Sequence, residues 1–511
     1  MLVPFEGFCG GSAPDVIKGV NSQQCINLYP ASTTGGKASI ILRKCPGQES
    51  FAASNGGNAE YYFASGSIYV SSLGDLYYLT YDSGVYIRRL YKNGGTVSTS
   101  FSYPTAKPFT VSDNGITLFM VAENIYITML VSNNTLSNES SDPVLTGVSA
   151  THVAYLDGYF IINRVGTNRI LVSPVDWDGS SAWDSLAVET DDQTPGAVEG
   201  LVVCGSDLWT FRKGGYSIYY NAGSTPFPFA RNQSVSNSIG LQAPYSLVTV
   251  NNRVFWLGSG KDGNGKVFMS EGFNAVRISN PELETQISGY KNTYDTLGMG
   301  WQEYGHTFYS LTFKTENITW VYDATTGLWH QRSSKLSAAI IPNLVPNTVR
   351  GYFPPLANGT YGRWNVDGVV EFNGELYVKN AENGNVNKLK PTVYTDDSLP
   401  IIWRRTAPFL SAAGKRMFFN YLQVDMDTGT GLLPASAQGY DPIIFLRYSD
   451  DGGNTWCMPK QGNIGKIGTY NTRVKWNRLG SSKNRLFEIS GADPVSTTIY
   501  QAFLDMEAEN G

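Results

Sequence analysis

Histidine occurs three times in this chain of 511 residues, at His152, His306 and His330, each within or at the end of an expected strand and none with a helper group at useful spacing. The side chain used most often as a general base near neutral pH is therefore nearly missing, and these three are expected to be satisfied structural histidines. No HExxH, P-loop, GxSxG or dinucleotide fingerprint occurs, so motif chemistry for hydrolases, NTPases and oxidoreductases is absent. No apolar run approaches the roughly 18 residues of a membrane helix. The start, MLVPFEGFCGG, lacks the basic residues and long apolar stretch of a signal peptide. A soluble, unsecreted chain without membrane insertion is expected, one that reaches the outside of a cell only within a particle or by lysis. The five cysteines (Cys9, Cys25, Cys45, Cys204, Cys457) are odd in number and scattered, with no C-x-x-C pattern. Reduced, buried thiols in a chain made in cytoplasm are expected, Cys9, Cys25 and Cys45 being the ones with any prospect of pairing.

What is abundant is the material of β structure. Hydrophobic residues make up 41% and aromatics 13%, with 54 Gly; Tyr and Phe favour pleated surfaces, and Gly supplies tight turns. Strand, Gly/Asn/Asp turn, strand units recur: AEYYFASGSIYVSSLGDLYYLT from Ala59, FTVSDNGITLFMVAENIYIT from Phe109, HVAYLDGYFIINRV from His152 and LVVCGSDLWTFRKGGYSIYYNAG from Leu201. SLVTVNNRVFWLGSG from Ser246, GHTFYSLTFKTENITWVYDATTGLWHQR from Gly305 and GVVEFNGELYVKNAENGNVNKL from Gly368 continue the series. Their spacing of roughly 45 to 60 residues is that of a four-stranded propeller blade, and sheets buried on both faces explain why the strands are almost continuously apolar. The expectation is an all-β fold: a β-propeller of six or seven blades over residues 56–394, a C-terminal β-sandwich-like platform over 395–511, and an extended segment, 1–55, that joins the platform. A pair of stacked sandwiches is the rival architecture.

Charge is unevenly divided. Residues 1–398 carry a net charge of −7 and residues 399–511 a net charge of +2. No Lys or Arg lies between Arg169 and Arg212, where Asp176, Asp178, Asp184, Glu189, Asp191, Asp192, Glu199 and Asp207 fall. DWDGSSAWD from Asp176 has the hard oxygens and Gly turn that suit Ca²⁺; a solvated acidic loop and an acidic wall that keeps DNA from sticking are the other readings. SDDGGNTW fits the S-x-D-x-G-x-T-W Asp-box, in which Ser449, Asp451, Gly453, Thr455 and Trp456 are structural. A sialidase-like glycosidase also needs an arginine cluster, and Phe211-Arg212 begins such a motif but continues Lys213-Gly214. After the Asp-box, Lys460, Lys466, Arg473, Lys475, Arg478, Lys483 and Arg485 occur with no acid among them. Contact with neighbouring subunits or partners, a solvated sheet face, and DNA contact through Tyr470 and Trp476 are the readings for this stretch. Period-two alternation puts Arg473, Lys475 and Asn477 on one face and Val474, Trp476 and Arg478 on the other.

Four segments, QQCINLYP from Gln23, VYDATTGLWHQRSS from Val321, YSDDGGNTW from Tyr448 and RVKWNRLGSSKNRLFEISGADP from Arg473, together resemble the packaged-DNA stabilisation family of short-tailed bacteriophages, the tail hub or nozzle proteins. Ala31 after Tyr29-Pro30, and Lys483-Asn484-Arg485 at a turn expected to be more acidic, depart from that pattern. The resemblance implies a non-enzymatic component of the virion tail, assembled in the host cytoplasm. It would form a homo-hexameric channel below the portal and its adaptor ring protein, retain packaged genomic DNA, conduct it at ejection, and dock tailspikes or tail fibres. No cofactor, metal ligand set or catalytic residue is expected. A sialidase-like or glycan-binding propeller is the alternative.

Overall fold

Tight Gly, Asn and Asp turns between apolar strands build seven antiparallel sheets, which the chain visits in order around a ring. The structure, a computed structural model, describes residues 2–15, 21–34, 38–52, 68–81, 87–96, 101–102, 109–235, 237–260, 263–334, 362–381, 384–396, 398–435 and 437–509. The first strands of the blades are Ile68–Val70, Thr110–Asp113, Val153–Leu156, Val198–Cys204, Val248–Val250, Leu297–Glu303 and Val366–Phe372. From the second blade to the seventh each packs against the next, and the seventh packs against the first. Between the first and second blades, Tyr69 Oη donates to Asp113 Oδ1 at 2.5 Å and the Ser72 N–H to the same carboxylate. The architecture is thus a seven-bladed propeller. Residues 59–67 of the first expected hairpin lie outside the described residues.

Burial on both faces accounts for the apolar strands: every residue of Thr117–Ala122 and of His306–Phe313 is buried. The sixth blade differs from expectation, since its hairpin from Gly305 is preceded by Leu297–Glu303, a strand that lies outside the expected hairpin. Its glycines answer to close packing. A Cβ on Gly298 would come within 2.4 Å of the Ser246 carbonyl oxygen, and one on Gly300 within 2.8 Å of Val248.

Two further sheets form a sandwich. One runs in the order Leu28–Ser32, Ile40–Lys44, Thr498–Ala508, Met417–Met426, Val474–Ser482, with Leu2–Pro4 also paired to Thr498–Ala508. The other runs Ser22–Ile26, Trp403–Thr406, Asn484–Gly491, Ile443–Ser449, Lys460–Asn463. Phe5, Phe8, Leu28, Leu42, Trp403, Phe419, Leu446, Trp476, Phe487 and Leu504 interlock between them as one buried cluster.

The N-terminal segment is shared between the two bodies. Leu2–Pro4, Ser22–Ile26, Leu28–Ser32 and Ile40–Lys44 belong to the sandwich, but Gly47–Ala52 pairs with Val386–Lys390 and completes the seventh blade. Ser22–Ile26 also pairs with Leu328–Arg332, the last strand of the sixth blade, so hydrogen bonding runs unbroken from propeller into platform. All five cysteines are free. Burial pushes the thiols of Cys9 and Cys45 up to about 11 and that of Cys25 up to about 12, which leaves them protonated and inert.

Candidate partner-contact surface

The Asp-box caps the turn between Ile443–Ser449 and Lys460–Asn463. Asp451 Oδ1 accepts the N–H groups of Asn454 at 3.0 Å and Thr455 at 2.8 Å, and Oδ2 accepts the Thr455 hydroxyl at 2.6 Å. Ser449 Oγ donates to Asp451 at 2.7 Å and receives the Gly453 N–H at 2.8 Å. These donors, Thr455 foremost, hold the Asp451 carboxyl well below the usual carboxylate range. Trp456 folds back so that the Arg447 guanidinium lies 4.6 Å from its ring centroid.

The basic stretch that follows forms one lateral edge of the sandwich. Lys460–Asn463 is the edge strand of one sheet and Val474–Ser482 that of the other, tied by the Trp476 indole N–H donating to the Lys460 carbonyl at 3.0 Å. Lys466, Arg473, Lys475, Arg478 and Lys483 are exposed and Lys460 is half-buried. Lys475 Nζ sits 3.3 Å over the Tyr421 ring, and Lys466 Nζ 5.0 Å over Tyr440. In strand order this edge lies four strands from Ser22–Ile26, roughly 19 Å from the seam with the propeller at ordinary strand spacing.

Three of the expected roles change. Arg485 is 1% exposed. Its Nε and Nη2 bind both oxygens of Asp450 at 2.6 and 2.7 Å, its Nη1 binds the Leu479 carbonyl at 2.6 Å, and Tyr448 lies 4.0 Å from its centre. It is a structural pin, removed from any contact surface because its neighbours satisfy its donors internally. Trp476 is core, so it stacks on no base. Arg478 points outward with Lys475 and Asn477: the strand bulges opposite Asn420, where Arg478 adopts φ 57°, and the extra residue breaks the period-two pattern.

Charged side chains and a bulge on an edge strand deter strand addition, so side chains rather than the free backbone edge would make contact here. The end of this edge is also apolar. The loop around Ile467 (53% exposed) and Tyr470 (72% exposed) packs on Thr428, Gly429 and Gly431, with Thr428 Oγ1 donating to the Tyr470 carbonyl at 2.8 Å, and Leu433, close by in the chain, is 67% exposed. Cations beside exposed aromatic and aliphatic groups suit a macromolecular partner.

The other sequence candidates are internal. His152 lies between the Thr151 hydroxyl (2.9 Å) and the Pro244 carbonyl (3.0 Å), and burial lowers its pKa to about 4. His306 Nδ1 meets Asp323 at 2.7 Å, and buried His330 is held far below its ordinary value by desolvation. Arg212, the one start of a sialidase-like arginine motif, is fully buried against Asp191, whose oxygens also accept from Thr210 and Ser217. It is closed to substrate, and Asp191 belongs to the core rather than to an acidic wall. In DWDGSSAWD, Trp177 and Trp183 are buried and Asp178 accepts from Ser180; among the described residues no group of three or more His, Cys, Asp or Glu is gathered as a metal site.

Comparison with known proteins gives two family matches. Residues 17–339 match the model described as bacteriophage P22 Gp10, beta-propeller, and residues 402–507 that described as bacteriophage P22 Gp10, beta-sandwich. No curated protein matches the chain. Among solved structures, the computationally designed Ika8 protein is 9% identical over 72% of this chain and 99% of its own, with a TM-score of 0.36. BamB from Moraxella catarrhalis is 11% identical over 76% and 98%, with a TM-score of 0.35.

Proposed function

This chain belongs to the family of bacteriophage P22 Gp10, with that family's propeller and sandwich both present, and on that premise we propose that it is a non-enzymatic conduit in a short phage tail. Six copies form a ring below the portal-adaptor ring protein. The ring retains packaged genomic DNA, passes it at ejection, and docks tailspikes or tail fibres. Assembly takes place in the host cytoplasm, and the product is part of the virion tail.

The observation that carries this reading, beside the family, is the seam. Ser22–Ile26 is hydrogen-bonded both to the sixth blade and to the platform, so propeller and sandwich form one stiff unit with the basic edge at its far side. Stiffness of this kind suits a wall under pressure, and head-to-tail contacts that close by rotation would generate the ring. An acidic propeller and a basic edge are complementary in sign, which favours one docking register over others. The glycosidase alternative has lost its arginine candidate to the core.

Imaging purified particles tests the proposal. Six copies around the DNA exit path are expected. Absence of the chain from the particle, or turnover of fluorogenic glycosides by the purified chain that one Asp or Glu substitution abolishes, would overturn it.

A further inference from the structure

A cavity of about 520 Å³ opens at one end of the third blade, where the loop carrying Pro143, Val144 and Val148 meets the hairpin end at Arg164 and Arg169 and the segment from Trp183 to Val188. Pro143, Val144, Val148, Leu171 and Val188 give it an apolar wall; Arg164, Arg169, Asp184 and Ser185 supply its polar groups.

One feature of this cavity is unfavourable for an empty site. Arg164 and Arg169 stand directly opposite each other in the antiparallel register, an arrangement of like charges that destabilises a hairpin. Among the described residues no hydrogen bond or ion pair engages either guanidinium. Trp183, 4% exposed, closes the inner side of the hollow with its ring; its indole N–H is buried away from the opening and has no acceptor among the described residues. Two facing guanidiniums, half-buried Arg164 and exposed Arg169, beside an apolar hollow are the makings of an anion site.

The charge pattern narrows the ligand. Two arginines and one lining carboxylate leave a net charge of about +1, which matches a single carboxylate better than a doubly charged phosphate. A nucleic acid strand is disfavoured, because Asp184 lines the cavity and residues 170–211, which follow Arg169, contain no Lys or Arg. Asp184 Oδ1 accepts the Leu186 N–H at 2.9 Å, which leaves Oδ2 for a hydroxyl donor, and Ser185 offers a second polar group. We propose that this cavity binds a carboxylated sugar, its carboxylate on the arginine pair, its hydroxyls on Asp184 and Ser185, and its C–H face on the valine and leucine wall. Arginine serves because its planar fork meets a carboxylate through two parallel hydrogen bonds.

Ligand-detected NMR titration of the full chain with glucuronic acid, with glucose as the uncharged control, tests this. Saturable binding of glucuronate with a dissociation constant of about 1 mM, and none of glucose, is the expected result. Arg169→Gln should weaken binding at least tenfold while the melting temperature stays level or rises, because the repulsion across the hairpin is relieved; a variant that merely misfolded would melt lower. Equal binding of both sugars, binding of neither, or full retention by Arg169→Gln overturns the proposal. Tighter binding of a glutamate-rich peptide or of inorganic phosphate than of glucuronate also overturns it, assigning the cavity to a partner protein or to a phosphorylated ligand. The tail reading rests on other residues and is decided separately, by whether the chain rings the DNA exit path in purified particles.

Discussion

Among the described residues Arg405 has no carboxylate partner, yet it is fully buried. Its guanidinium donates to the carbonyls of Phe8 at 2.6 Å and of Gly7 and Gly11 at 2.8 Å, and to Gln23 Oε1 at 3.0 Å. One side chain thus holds the N-terminal loop against the sandwich by satisfying carbonyls that would otherwise be buried without donors. Arg405→Met keeps the volume and removes the donors; at about 1 kcal/mol or more for each stranded carbonyl, a loss of at least about 3 kcal/mol is expected in denaturant unfolding. His152 gives the chain a pH dependence. Its folded pKa of about 4 lies below the ordinary 6.5 because burial disfavours the cation. Between these values the unfolded chain binds a proton that the folded chain refuses, so stability falls as pH drops from about 6.5 to 4, by about 3 kcal/mol for this residue. His152→Gln keeps a donor for the Pro244 carbonyl, and the difference between its melting curve and that of the parent should vanish above pH 7 and grow towards pH 4. A difference independent of pH would contradict this account. At this scale the sequence is legible where chemistry is local: the Asp-box closes within eight residues. It is opaque for Arg212, Arg405 and Arg485, because an arginine reads as surface until partners distant along the chain are brought to it.

Elements follow the same division. Five of the seven propeller hairpins begin within a few residues of where turn chemistry and apolar runs place them, since a hairpin is specified by its own strands and turn; the expected start of the first lies outside the described residues. The sixth was displaced by Leu297–Glu303, whose glycines serve contact with the fifth blade. Closure of the ring was not legible at all. Gly47–Ala52 pairs with Val386–Lys390 across more than 330 residues, and no periodicity announces such a partner. This strand is central in its sheet: Gln48 pairs with Leu389 on one side and Asp396 on the other, and its side-chain oxygen accepts from Asn387 at 2.9 Å. Gln48→Pro removes a ladder donor and fixes φ, at a cost of about 3 kcal/mol or more. Hydrogen exchange should then quicken in Val366–Phe372, Glu375–Asn380 and Val386–Lys390, while Asn484–Gly491 and Thr498–Ala508 keep their protection. Equal loss of protection in blade and platform would mean that the two unfold as one cooperative unit, so that the closing strand holds the whole chain and not only its ring.

For the whole molecule, the decisive feature is where the charges end up. The stretch that reads as seven equivalent cations resolves into five exposed ones, one half-buried at the strand edge, and Arg485 pinned inside. Only the exposed set can meet a neighbour, and it sits on the sandwich edge farthest from the seam, where reach beyond a single copy is greatest. Arg473, Lys475 and Arg478 contribute no ion pair to their own chain among the described residues, so replacing them removes little beyond the contact of Lys475 with the Tyr421 ring, worth about 0.5–1 kcal/mol at an exposed site; surface changes otherwise ordinarily alter stability by less than about 0.5 kcal/mol each. Arg473→Glu, Lys475→Glu and Arg478→Glu together should therefore leave the melting temperature within a few degrees of the parent and yet exclude the chain from tails, measured as its abundance in purified particles beside an unsubstituted control. Arg485→Glu is the contrasting change: it buries a carboxylate beside that of Asp450, and its failure would be one of folding, visible as a lowered melting temperature. Full incorporation of the triple variant would remove the basic edge from assembly. If instead tails form but genome release shifts with salt concentration, the same cations face DNA, because counterion release makes phosphate contacts salt-dependent in a way that a packed protein interface of matched charge is not.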